Sequence, residues 1–126
     1  MRKFLLIILA SMSSAMAMAQ KQADIVFEAD TISLGQFTEK DPIQTCVYTF
    51  TNTGDAPLVI HQAIASCGCT VPEYDKAPIK PGEKGRITVT YNGRGKMLGK
   101  FTKTISVRSN AKTGIKRLFL QGDMTK

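Results

Sequence analysis

Apolar and polar side chains alternate with a period of two through most of the chain after residue 24, and no stripe of helical period reaches useful length. Ile25 to Glu28 and Thr31 to Phe37 read as a first strand broken by a bend. Ile43 to Thr51 (IQTCVYTFT) alternates, with Cys46, Tyr48 and Phe50 on one face; larger side chains point inward, so Cys46 is expected to face the core. Asn52-Thr53-Gly54-Asp55 follows as a turn, since Asn52 and Gly54 tolerate positive φ. Pro57 to Ala63 forms the next strand, with Leu58 and Ile60 inward and His61 outward. Pro72 to Lys80 is expected to be irregular, because Pro72 and Pro78 suit neither strand nor helix interiors. Pro81-Gly82 marks a tight turn. Arg86 to Asn92 places Ile87, Val89 and Tyr91 on one face, and Phe101 to Ser109 does the same with Phe101, Ile105 and Val107. Ile115 to Gly122 closes the domain. Short strands at this spacing, joined by Gly, Pro and Asn turns, predict an all-β fold: a single immunoglobulin-like antiparallel β-sandwich. The lack of tryptophan removes an antibody-type domain.

The first residues do not share this pattern. Arg2 and Lys3 precede an apolar run, Phe4 to Ala10, and Ala17-Met18-Ala19 is a small-x-small cleavage signal. Residues 1–19 are therefore expected to be a signal peptide cleaved near Ala19, with cleavage after Ala17 as the close alternative, and 20–126 the sandwich domain. The apolar run is too short for a membrane span. Export, to the periplasm or beyond, makes disulfides admissible. Of 17 basic and 10 acidic residues, the leader holds two basic and no acidic ones, so the net charge of +7 becomes 15 − 10 = +5 after cleavage. Its lysines and arginines are spread over turns and strand exteriors, an ordinary solvated surface with no nucleic-acid module.

An ordered set of motifs carries a resemblance. Phe50-Thr51-Asn52-Thr53-Gly54 with Pro57-Leu58 is followed by Ser66-Cys67-Gly68-Cys69-Thr70, then by Ile79-Lys80-Pro81-Gly82-Glu83-Lys84-Gly85. Gly99-Lys100-Phe101-Thr102-Lys103-Thr104 with Ser109-Asn110 completes it. From about Phe27 to Met124 the chain resembles the bacterial secreted domain-of-unknown-function family 1573. The resemblance implies an immunoglobulin-like sandwich similar to the major sperm protein and pilus-chaperone type, exported by Gram-negative bacteria. It implies no enzymatic activity, and Cys46 lies outside its motifs.

Candidate chemistry centres on Cys67-Gly68-Cys69, and three readings compete. Cys46 could pair with Cys67 or Cys69 across adjacent strands; closing a loop of about 20 residues would contribute roughly 3 kcal/mol in the chain-entropy model and leave one thiol over. Cys67 and Cys69 could instead pair with each other, with Gly68 allowing the bend, in a small ring open to thiol–disulfide exchange. Against a thioredoxin-type site, no helix pattern follows Cys69 to lower a thiol pKa. Thirdly, Cys67 and Cys69 could hold copper or zinc with His61, or with Met97 as a soft ligand, although one C-x-C is far weaker than two spaced pairs. His61 has no nucleophile and orienting carboxylate at a recognisable spacing. Glu73 and Asp75 flank the turn without the defined separation a paired-carboxylate hydrolase needs. Gly93-Arg94-Gly95 precedes no helix and is not a phosphate loop.

These readings converge on an exported, non-catalytic binding or assembly module of the bacterial envelope, with no cofactor, no membrane span and no nucleic-acid partner. Its expected partner is another envelope or extracellular protein, met by an edge strand or by end loops that the Cys-Gly-Cys turn shapes. A thiol–disulfide protein and a copper or zinc carrier are the alternatives.

Overall fold

The computed structural model describes residues 21–126, so the expected signal peptide lies outside the described residues. Eight strands form two four-stranded sheets. They are β1 (Ile25–Phe27), β2 (Thr31–Thr38), β3 (Ile43–Asn52), β4 (Ile60–Ala65), β5 (Thr70–Tyr74), β6 (Lys84–Asn92), β7 (Gly99–Ser109) and β8 (Lys116–Thr125). One sheet has the order β1-β3-β6-β5, the other β2-β8-β7-β4. The two pack face to face as an immunoglobulin-like sandwich. Among the described residues, no helix is long and apolar enough to cross a membrane.

The alternation in the sequence becomes the core because successive strand residues point to opposite faces. Tyr48 and Phe50 of β3, Ile87, Val89 and Tyr91 of β6, Ile105 and Val107 of β7, and Leu118, Leu120 and Met124 of β8 are all buried between the sheets. Leu58 and Ile60 join them, and His61 points outward as expected.

Three expectations need correction. The bend at 28–30 does not interrupt one strand: β1 pairs with β3, whereas β2 pairs with β8 in the other sheet, so the chain changes sheets there. The β2–β8 pair is parallel, the exception in an otherwise antiparallel fold. Residues 72–74, expected to be irregular, instead belong to β5, which pairs with β6. Pro72 is admitted because β5 is an edge strand. The Asn92 N–H donates to the Cys69 carbonyl at 2.8 Å, which makes Cys69–Asn92 a hydrogen-bonded pair. Alternation then places Pro72–Val89 at a non-bonded position, so the missing N–H faces outward.

The turns are equally specific. The Glu83 N–H donates to the Lys80 carbonyl at 3.0 Å, with Pro81 and Gly82 at the two central positions and Gly82 at φ 83°. That is a type II turn, whose third residue requires positive φ. Gly82→Ala should therefore cost about 1 kcal/mol, read as a shifted denaturant midpoint with unchanged slope. The other turn works differently. Neither Asn52 nor Gly54 has positive φ. A side chain on Gly54 would instead strike the backbone of Gln22, Ala23 and Asp24, which crosses over it.

Candidate functional site

The Cys-Gly-Cys turn carries the chain from β4, at the edge of one sheet, to β5, at the edge of the other. Its first residue is tied to the sheet it leaves: the Ser66 N–H donates to the Thr104 carbonyl at 2.8 Å, and Ser66 Oγ accepts the Thr104 N–H at 3.2 Å. Its last cysteine is tied to the sheet it enters through the Cys69 carbonyl and Asn92. Between them, the Thr70 N–H donates to the Cys67 carbonyl at 3.2 Å. The turn is thus clamped at both ends to regular backbone.

Cys67 and Cys69 are joined to each other, with Cα atoms 5.3 Å apart, inside the span of about 4.4–6.8 Å that disulfides bridge. Cys69 is buried in the core and Cys67 is half-buried at its rim. The Cys69 N–H donates to Cys67 Sγ at 3.1 Å, and the Thr70 hydroxyl stands 3.6 Å from Cys69 Sγ. Gly68 is exposed, does not adopt positive φ, and would carry a side chain into open space, so the turn does not depend on its flexibility.

Cys46 is a free thiol. The staple from Cys46 to the turn is not formed, because β3 and β5 are not neighbours: Cys46 is paired with Val89 of β6, and Val89 with Pro72 of β5. Its inward orientation matches the alternation, and burial pushes its thiol pKa up. It packs against the core beside Tyr48, whose hydroxyl donates to the Phe119 carbonyl at 2.6 Å and ties the two sheets together.

His61 is the second residue of β4 while the cysteines follow its end, which alone lies about 13 Å from His61 at the rise of a strand. The structure does not bring it to the sulfurs, and its carbonyl instead accepts the Tyr74 hydroxyl at 3.1 Å. Met97 sits in the β6–β7 loop and is 91% exposed. No group of three or more His, Cys, Asp or Glu side chains able to hold a metal occurs among the described residues.

The strand directions place three segments at one end of the sandwich: the Cys-Gly-Cys turn, the β2–β3 loop with Lys40 and Pro42, and the β6–β7 loop with Arg94, Lys96, Met97 and Leu98. The Gly93 N–H donates to the Pro42 carbonyl at 2.9 Å and joins the last two. A groove of about 610 Å³ also opens on the β2-β8-β7 sheet where β2 bulges between Ser33 and Gln36; it carries Lys100 and Asp123 but no cysteine or histidine.

Asn52 acts as more than a turn residue. Fully buried, its amide donates to the Ala56 and Ile79 carbonyls at 2.8 and 2.9 Å and accepts the N–H groups of Gly54 and Asp24 at 2.9 and 3.3 Å. It organises the end opposite the cysteines. The signal was present in the sequence: Asn52 continues the inward parity of Cys46, Tyr48 and Phe50.

Residues 25–124 match the family described as "Protein of unknown function (DUF1573)". No curated protein matches the chain. Among solved structures, the chain is similar to a protein of unknown function from Porphyromonas gingivalis W83, with TM-score 0.70 and 15% identity over 86% of this chain and 50% of that one. It is also similar to the ASH/PapD-like domain 7 of human CEP192, with TM-score 0.66 and 12% identity over 86% of this chain and 91% of that domain. The periplasmic chaperone SfaE aligns with TM-score 0.61 and 11% identity over 81% of this chain and 58% of that one. The chain thus spans half of the Porphyromonas protein and little more than half of the chaperone. Likeness at such identities concerns the fold.

Proposed function

Because the chain belongs to this family of proteins of unknown function, we propose from its surface that it is an exported, non-catalytic binding or assembly module of the bacterial envelope. Its contact surface is the end that carries the Cys-Gly-Cys turn, and its partner another envelope or extracellular protein. A PapD-like fold, shared with a periplasmic chaperone, is consistent with binding, but fold alone assigns no function.

Strand addition is the less favoured mode, since each of the four sheet edges is blunted. β1 has three residues, β2 is broken by a bulge with Gly35 at φ 69°, and β5 lacks the Pro72 N–H. β4 shifts register between Ile60 and Gln62, and its His61 carbonyl is occupied by Tyr74. The observation that carries the end-loop reading is the β6–β7 tip, where Met97 and Leu98 are 91% and 46% exposed at the same end of the sandwich as the clamped turn. Apolar side chains held in water at a loop tip gain free energy when a partner covers them.

Photo-crosslinking amino acids placed at Met97 and, at the opposite end, at Ile115 test this in cells. A discrete adduct from position 97 and none from 115 is expected. Equal labelling from both ends, labelling from 115 alone, or none from 97 overturns the assignment. The same preparation should start at Gln20 if export and cleavage proceed as proposed; a chain retaining Met1 would remove the envelope location.

A further inference from the structure

The Cys67–Cys69 pair has a direction. A thiolate displaces one sulfur of a disulfide by approaching opposite the bond that breaks, so the attacked sulfur must be reachable and the departing one can lie behind it. Cys67 is half-buried at the rim and Cys69 only 8% exposed behind it. An approach to Cys69 would have to pass through the core packing that surrounds it. Gly68 between them is exposed, and a side chain there would meet nothing, so the turn itself faces solvent.

We propose that this turn is a thiol-exchange site, at which Cys67 bonds to an external thiol and Cys69 is the sulfur that leaves and returns. The incoming thiolate forms a bond to Cys67 Sγ while the Cys67–Cys69 bond breaks. The electron pair of that bond goes to Cys69 Sγ, which takes a proton from solvent; the Thr70 hydroxyl, 3.6 Å away, is placed to donate a hydrogen bond as charge develops there. The external thiol is oxidised to a mixed disulfide and Cys69 is reduced. Cys69 can then attack Cys67 and expel the thiol, or a second external thiol can attack the mixed disulfide, releasing an external disulfide and leaving both cysteines reduced.

The reduced turn has the same polarity. In the disulfide, Cys67 Sγ accepts the Cys69 N–H at 3.1 Å; carried into the reduced turn, that hydrogen bond would favour the Cys67 thiolate, on the more exposed of the two residues. Cys46 is a bystander, a separate thiol facing inward from β3. The substrate class is a thiol in an oxidising compartment, either a low-molecular-weight thiol or a cysteine of another protein. The chemistry is independent of whether the end loops bind a protein.

The test uses the oxidised mature protein, incubated at neutral pH with reduced glutathione, quenched in acid, alkylated, and mapped by fragment-ion mass spectrometry. At least tenfold more glutathione on Cys67 than on Cys69 is expected, and none on Cys46. Equal labelling, a preference for Cys69, or no adduct under conditions where the guanidinium-unfolded chain reacts would overturn the proposal. Two variants, each confirmed folded by its thermal transition, provide a second reading: with glutathione disulfide, Cys67 in Cys69→Ser should react at least tenfold faster than Cys69 in Cys67→Ser. Similar rates would contradict the assigned polarity. Replacing glutathione with a short cysteine peptide separates the sources, since faster exchange with the peptide assigns a protein cysteine and faster exchange with glutathione a small thiol. An unreactive turn alongside a crosslink from position 97 would remove this inference and leave the binding reading standing.

Discussion

Asn52→Ala is expected to lower stability by about 2–3 kcal/mol and the melting temperature by roughly 10–15 °C. The substitution removes little volume, and its effect comes from the groups it abandons. The Ala56 carbonyl loses its donor, the Ile79 carbonyl loses one of its two, and the Gly54 and Asp24 N–H groups lose their acceptor. A buried polar group left without a partner costs about 1–3 kcal/mol, less where water can enter. Asp24 and Gly54 lie near the surface and can recruit water, and the carbonyl of the buried Ile79 keeps the Leu58 N–H at 2.8 Å, which limits the loss. Asn52→Leu separates this account from simple packing: it restores the volume but leaves the same three groups, the Ala56 carbonyl and the Gly54 and Asp24 N–H groups, unpaired, so it should be about as destabilising as alanine. Urea denaturation of the three proteins measures the difference, and a loss below about 1 kcal/mol in both variants would show that the network contributes little.

Tyr48→Ala should cost more, about 4–5 kcal/mol, because the ring is 1% exposed between the sheets and neighbours cannot close the space it leaves. Tyr48→Phe keeps the ring but removes the donor to the Phe119 carbonyl, the 2.6 Å bond that ties β3 to β8, and should cost about 1–2 kcal/mol. The difference between the two isolates the ring. A further consequence concerns pH. Burial, reinforced by Cys46, pushes the Tyr48 phenol well above its ordinary range. The folded state therefore favours the neutral phenol, and its stabilisation is fully present below the unfolded-state pKa of about 10 and declines as pH rises above it. Tyr48→Phe should show a shallower loss of stability on the alkaline side than the parent. An unchanged alkaline slope would mean that another group governs it.

Most of the fold was legible because one face of each strand is buried and the other is not. Ile87, Val89 and Tyr91, and likewise Ile105 and Val107, announce themselves through alternation and are buried as it requires. Pro72 was misread for a reason the sequence cannot supply: a proline excludes a central strand but not an edge strand, and edge position is a property of the whole sheet. The segment before residue 38 was misread for a related reason. Local pattern marks the bend after Phe27 but not that the chain changes sheets there, because the partners β3 and β8 lie far along the chain.

The cysteines divide along the same line. By itself, the sequence determined that two thiols sit one residue apart in a turn, that a third faces inward from a strand, and that an all-β sandwich surrounds them, since spacing and alternation are local properties of a chain with a two-residue period. Only the tertiary structure decided that β6 separates Cys46 from the turn, that His61 stands at the far end of β4, and that Cys67 lies outside Cys69. Those relations depend on strand order and on which side of the core each atom meets, and both are set by long-range pairing between segments that carry no mark of their partners.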